Sequence, residues 1–178
     1  MKNINIKRLS LLSLLLALHI IISSFYIPIF DNSRIMFSFI IKMLVGIIVS
    51  PITGIVFGFV ADIIGHIVIP SGAFFIGYSI TSMLSCLIFS LLLYNKRISY
   101  LSLITSKLLV NVLCNVLLNS YWSYILYSKG YMYYLIQSLF KNIILFPIEI
   151  LLIVSLFKLL LPLLNKYNIL KQKDIKII

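Results

Sequence analysis

LIQSLFKNIILFPIEILLIVSLFKLLLPL, residues 135–163, is too long and too apolar to belong to a soluble domain. A membrane-spanning helix needs about 20 mostly apolar residues to cross a hydrocarbon layer about 30 Å thick. This run exceeds that length and carries only Lys141, Glu149 and Lys158 as charges. Five more apolar runs precede it, at 9–28, 35–50, 53–69, 75–94 and 102–126. Breakers or charge separate them: Pro28 with Asp31, Asn32, Ser33 and Arg34; Ser50-Pro51; Pro70-Ser71-Gly72; Asn95-Lys96-Arg97; and Ser128-Lys129-Gly130. The predicted fold is an all-α membrane protein, a bundle of six transmembrane helices. It forms one domain over 1–178 and ends in a basic tail at 164–178. Runs two and three are thin for a full span, so a four-helix bundle with a re-entrant hairpin is the alternative.

Composition agrees. Of 178 residues, 62% are hydrophobic and 11% charged, against about 25% charged in soluble domains. The net charge of +11 does not signal nucleic-acid binding, because the charge is placed in clusters. Nine of the fifteen basic residues lie at the N-terminus (Lys2, Lys7, Arg8), in one loop (Lys96, Arg97) and in the tail (Lys166, Lys171, Lys173, Lys176). Such clusters orient helices toward the cytoplasm, which places both termini there, and the tail can touch anionic lipid. The N-terminal run reads as a retained helix rather than a signal peptide, since it is long and lacks a clear cleavage site. Cys86 and Cys114 sit inside apolar runs, with neither disulfide nor zinc spacing.

Charges inside spans carry the functional information, because each costs about 2.5–3.5 kcal/mol at the bilayer centre. These are Lys42, Asp62, Lys141 and Glu149. Lys107 and Lys158 lie near the cytoplasmic ends, where long side chains reach the interface. Lys141 and Arg34 place positive charge in the outer half, suited to an anionic ligand; a lipid-phosphate anchor is the other reading. Asp62 can accept hydrogen bonds from ligand amino groups or pair with Lys42 or Lys141. Glu149 has the same two readings, and Pro147 predicts a kink above it. Lys107, Asn111, Asn115 and Asn119 recur every four residues and share one face, for interhelical bonding or for lining a polar cavity. Half of the fourteen residues at 121–134 are aromatic, as an interfacial belt, as a stacking wall, or as both. His19 and His66 stand alone, without metal-ligand spacing, and catalytic or phosphate-binding motifs are missing. No metal, cofactor or enzymatic role is therefore assigned. Gly54, Gly58, Ala61 and Gly65 form a small-residue face on the third helix, and Ser13 with Ala17 a small pair on the first.

These residues bear a resemblance to a family. Arg34-Ile35 with Phe37 and Phe39; Ala61-Asp62-Ile63-Ile64-Gly65; Pro70-Ser71-Gly72 followed by Phe74-Phe75-Ile76-Gly77-Tyr78; Asn115, Asn119, Trp122, Tyr127, Lys129 and Gly130; and Lys141-Asn142 with Pro147-Ile148-Glu149 occur in order through six helices. Over 9–163 the chain resembles the substrate-binding S components of energy-coupling-factor (ECF) vitamin transporters, in their folate-specific branch. It departs from that family at Ser38 and Ile41, where Gly and Pro are usual, and at Lys42. The resemblance implies a ligand cavity opening outward under the loops after helices one, three and five. It implies as partners a transmembrane coupling protein and two cytoplasmic ATPases, in the bacterial plasma membrane. Ser13 and Ala17 match the place where the family carries an Ala-x-x-x-Ala contact for that module.

Folate suits the residues: Phe74, Phe75 and Trp122 around the pterin, Asp62, Asn115 or Asn119 at its edges, and Arg34 and Lys141 on its carboxylates. Asn142 and Glu149 complete the expected binding set. Riboflavin, pantothenate, biotin, a queuosine precursor and thiamine are the alternative ligands, and thiamine is disfavoured because it is cationic. An intramembrane enzyme, or a channel or assembly subunit, is the alternative class.

Overall fold

The computed structural model describes residues 6–30, 33–69, 74–96, 98–127 and 129–166. Six helices run in the order α1 (Ile6–Ser24), α2 (Phe39–Ile48), α3 (Pro51–Val68), α4 (Ile76–Leu93), α5 (Tyr100–Leu126) and α6 (Tyr131–Lys166). Strands β1 (Tyr26–Phe30) and β2 (Ser33–Met36) form an antiparallel hairpin between α1 and α2. Helices α3, α4, α5 and α6 are long and apolar enough to cross a membrane.

Two local features differ from the sequence reading. First, α1 stops at Ser24, four residues before the predicted end. FYIPIF is as apolar as a helix end, but Pro28 has no N–H to give an α-helical bond. The alternating β-branched and aromatic residues around it pair instead with 33–36. Second, α2 is only 10 residues, about 15 Å at 1.5 Å per residue, and is too short to span on its own. Nine of those residues are buried, so α2 is a core element enclosed by other helices and apolar nearly all round.

Small residues set the packing. A Cβ on Gly46 would meet the Phe89 backbone carbon at 2.8 Å, which draws α2 onto α4. On α3, a Cβ at Gly58 would meet the Ser82 carbonyl oxygen at 2.7 Å, and one at Gly54 the Ser90 hydroxyl at 2.6 Å. The two positions fix α3 antiparallel to α4 at close range, the small-residue contact that lets helices approach in lipid. Ala61 continues this face in burial, whereas Gly65 meets open space. The core then runs from Phe57 through Phe89, Leu93 and Leu103 to Ile153 and Phe157. The opposite side of α6 turns Ile136, Phe140, Ile143, Ile144, Ile148 and Leu151 outward, an apolar stripe suited to acyl chains.

Helix ends have local causes. Pro51 occupies the first turn of α3, where a missing N–H costs nothing. Ser99 caps α5 through its hydroxyl, which accepts from Leu101 N at 3.1 Å, while Ser99 N donates to Ser102 Oγ at 3.0 Å. Within α5, residues Asn111–Leu118 wind as a π-helix between α-helical ends. The basic residues expected to orient the bundle lie largely outside the described residues, including 1–5, Arg97 and the tail from 167 onward.

Candidate functional site

Polar side chains gather at two levels along α5. The first level joins α5 to α6. Lys107 Nζ lies 2.9 Å from Glu149 Oε1, and the Lys107 side chain is 1% exposed. Its ammonium also sits 3.8 Å from the centre of the Phe39 ring, a cation–π contact from α2. Asn111 Nδ2 donates to Glu149 Oε2 at 2.7 Å, and Asn115 Nδ2 donates to Asn111 Oδ1 at 2.8 Å. Ion pair and amides thus form one continuous chain. Lys107, expected near an interface and free to reach water, is buried instead. Antiparallel counting was the available signal. Counted back from the end of α5 and forward from the start of α6, Lys107 and Glu149 fall level.

The second level lies where α3 ends, α4 begins and α5 ends. Ser79, fully buried, donates from Oγ to Asp62 Oδ2 at 2.6 Å. Trp122 Nε1 donates to Thr81 Oγ1 at 2.9 Å. Around this bond the rings of Phe75 and Trp122 stand 5.7 Å apart at 65°, Phe75 and Tyr78 5.8 Å apart at 75°, and Tyr121 lies 5.3 Å from Trp122. The two Phe75 pairs are edge-to-face and the Tyr121–Trp122 pair is tilted, so Phe75 and Trp122 make a corner rather than a parallel slot. Gly77 permits that corner, since a Cβ there would meet Trp122 Cδ2 at 2.7 Å. One turn from Trp122, Asn119 Oδ1 is buried and finds no hydrogen-bond partner among the described residues.

The remaining sequence candidates are dispersed. Phe74 is 49% exposed and turns to His66, with centroids 5.3 Å apart, instead of joining Phe75. Phe75 begins α4 in an extended conformation, which sends neighbouring rings to different sides. Asn142 is buried and donates to the Ser138 carbonyl of its own helix at 2.8 Å. Lys141 is half-buried. Arg34 pairs with Pro28 through the hairpin, and its side chain lies outside the described residues. His19 is buried edge-on to Phe57, and no metal-binding cluster occurs among the described residues. Ser13 and Ala17 are exposed on α1, and the Ser13 hydroxyl is satisfied by the Leu9 carbonyl at 3.1 Å.

A helical bundle this apolar, with polar groups held at two internal levels, has known counterparts. The sequence pattern of the family described as "ECF transporter, substrate-specific component" matches residues 7–157. The chain belongs to this family. As an S component, it is similar to the folate transporter FolT of Clostridium novyi, 29% identical over 135 residues, or 75% of this chain and 78% of that one. It is likewise similar to the folate transporter FolT of Leuconostoc mesenteroides, 29% identical over 146 residues, or 79% of this chain and 78% of the other. Its structure is similar to the crystal structure of FolT bound with folic acid, at a TM-score of 0.77 and 27% identity, over 84% of this chain and 92% of that one. The helices of this S component therefore carry the same fold as a protein captured with folic acid.

Proposed function

We propose that this S component binds folate with high affinity on the outer side of the bacterial plasma membrane and passes it inward as part of an ECF transporter. The observation that carries this reading is the likeness to folic-acid-bound FolT over 92% of that chain. Two relatives named as folate transporters support it. In this reading the bundle lies with both termini cytoplasmic, and the hairpin and the aromatic corner face outward.

Folate joins a flat pterin, rich in donors and acceptors, to a glutamate with two carboxylates. The aromatic corner of Phe75 and Trp122 offers ring faces to the pterin. Asp62, pre-set by Ser79, and the unpartnered oxygen of Asn119 are acceptors for its N–H groups. Arg34 and Lys141 supply positive charge for the carboxylates. Asn115 and Glu149 act from the level beneath, and Phe74 and Asn142 flank the site.

The protein does no covalent chemistry in this account. Binding alone cannot do net work, so inward movement depends on a transmembrane coupling protein driven by two cytoplasmic ATPases. The exposed face of α1, with Ser13, Leu14, Ala17, Leu18 and Ile21, is where the coupling protein docks. Its small residues allow close helix approach, and the Ser13 hydroxyl spends its hydrogen bond within its own helix.

The test is to purify the protein and identify any co-purifying ligand by mass spectrometry. Bound folate is the expected result. A different vitamin in its place, or an empty protein with no affinity for folic acid, overturns the assignment.

A further inference from the structure

We infer that the buried Lys107–Glu149 pair is a positioning device. It fixes the polarity of the α5 amide stripe, so that the stripe offers carbonyl oxygens to the ligand and selects a ligand edge carrying N–H donors. This rests on the folate reading above; it gives Lys107 a role that reading left unassigned and states how Glu149 acts through the stripe.

An asparagine amide can present either its oxygen or its nitrogen, because the two ends have nearly the same shape. Here the choice is made by charge. An ionised carboxylate only accepts hydrogen bonds. Lys107 takes Glu149 Oε1, which leaves Oε2 for Asn111. Asn111 must therefore turn its NH2 group toward Glu149, and its carbonyl oxygen is left to accept from Asn115 Nδ2. Asn115 in turn has its nitrogen committed downward. One charge thus orients two amides in the same sense. Reversing either one would set an oxygen against an oxygen in a low-dielectric interior, where such a clash is not relieved by water.

The winding of α5 keeps the stripe aligned. In an α-helix, residues four apart drift about 40° around the axis at 3.6 residues per turn. Over Asn111–Leu118 the looser π-helical winding offsets that drift. The stripe then runs on to Asn119, whose buried oxygen has no partner among the described residues. A buried acceptor left open is the independent sign that a donor belongs there. Asp62, held by Ser79, is a second acceptor at the same level. In folate the donors are the pterin 2-amino group and the adjacent ring N–H. The carboxylates only accept, so they are excluded from this end.

The experiment compares folic acid with an analogue in which the pterin 2-amino group is replaced by methyl, on the purified full-length protein. Wild type is expected to prefer folic acid by about 30-fold, the effect of leaving a buried acceptor unpaired. Asn111→Leu cuts the chain yet keeps the ion pair, and should lower that preference to about tenfold or less, the remainder coming from Asn119 and Asp62, which the chain does not hold. Lys107→Arg, which keeps the charge, should retain the preference. Preference for folic acid over pteroic acid, which lacks the glutamate, is read in parallel and should survive in every folded variant. Should Asn111→Leu lose its melting transition, the Lys107→Met/Glu149→Gln double variant gives the same reading.

Full discrimination in either chain-breaking variant overturns the positioning role. So does a wild type that binds both pterins equally well. A wild type that binds no folic acid at all fails the folate reading itself and is separable from these outcomes.

Discussion

The two polar levels of α5 solve the same problem in opposite ways. At the level of Lys107, charge is closed on itself: Glu149 spends both oxygens, on Lys107 and on Asn111, and a ring of Phe39 covers the ammonium. At the level of Trp122, the groups are only partly spent. Asp62 receives Ser79, Trp122 holds Thr81, and Asn119 keeps a buried oxygen unpartnered among the described residues. Buried polar groups that are fully paired rigidify an interior, while an open one is costly unless something binds it. In the proposed reading the closed level belongs to the scaffold that orients the site, and the open level to the ligand.

The largest effect should come from breaking the closed level. Lys107→Met leaves Glu149 buried without its cation and should cost about 4 kcal/mol of stability, read as a fall in melting temperature in detergent or as failed expression. Lys107→Met/Glu149→Gln should recover most of that loss, because the unpaired charge is gone. If the single variant is as stable as wild type, the pair is not the closed unit described.

Next comes the charge proposed to balance folate's carboxylates. The Arg34→Ala/Lys141→Ala variant should weaken folate binding by at least about 100-fold, since charge-assisted bonds are worth roughly 1.5–3 kcal/mol each. Unchanged affinity in titration calorimetry would reject the carboxylate assignment. Asp62→Asn can keep its bond from Ser79 but loses the charge. It should reduce folate affinity by about 20-fold while melting stays near wild type. A large stability loss with intact affinity would move Asp62 from the open level to the scaffold. The smallest effect is expected of Trp122→Phe, which keeps a ring and loses only the bond to Thr81. About 1 kcal/mol of folate affinity or stability is at stake.

Much of this was legible in the sequence, and the failures have physical causes. Residues 135–163 announce a membrane helix because no soluble core accommodates so long an apolar run. The amide stripe is visible as residues four apart on α5, and Glu149 becomes its partner once helices are counted from their shared turn. Three features resisted. The apolar FYIPIF extends the first helix by hydropathy, and only the geometry of Pro28 with a facing strand shows a hairpin. Lys107 lies near enough to a helix end in sequence to reach water, and sequence distance does not report that α2 and α6 close over it. The divergence of Phe74 from Phe75 was hidden for a similar reason: helix α4 begins between them and the next residue, and that start sets where each ring goes.

Trp122 is the single tryptophan in the chain, so its fluorescence reports on the open level without labelling. Titrating the purified protein with folic acid should change that emission saturably, complete near equimolar ligand, while thiamine at the same concentration leaves it unaltered. An emission that drifts linearly with added folic acid and never saturates would contradict folate capture beside Trp122.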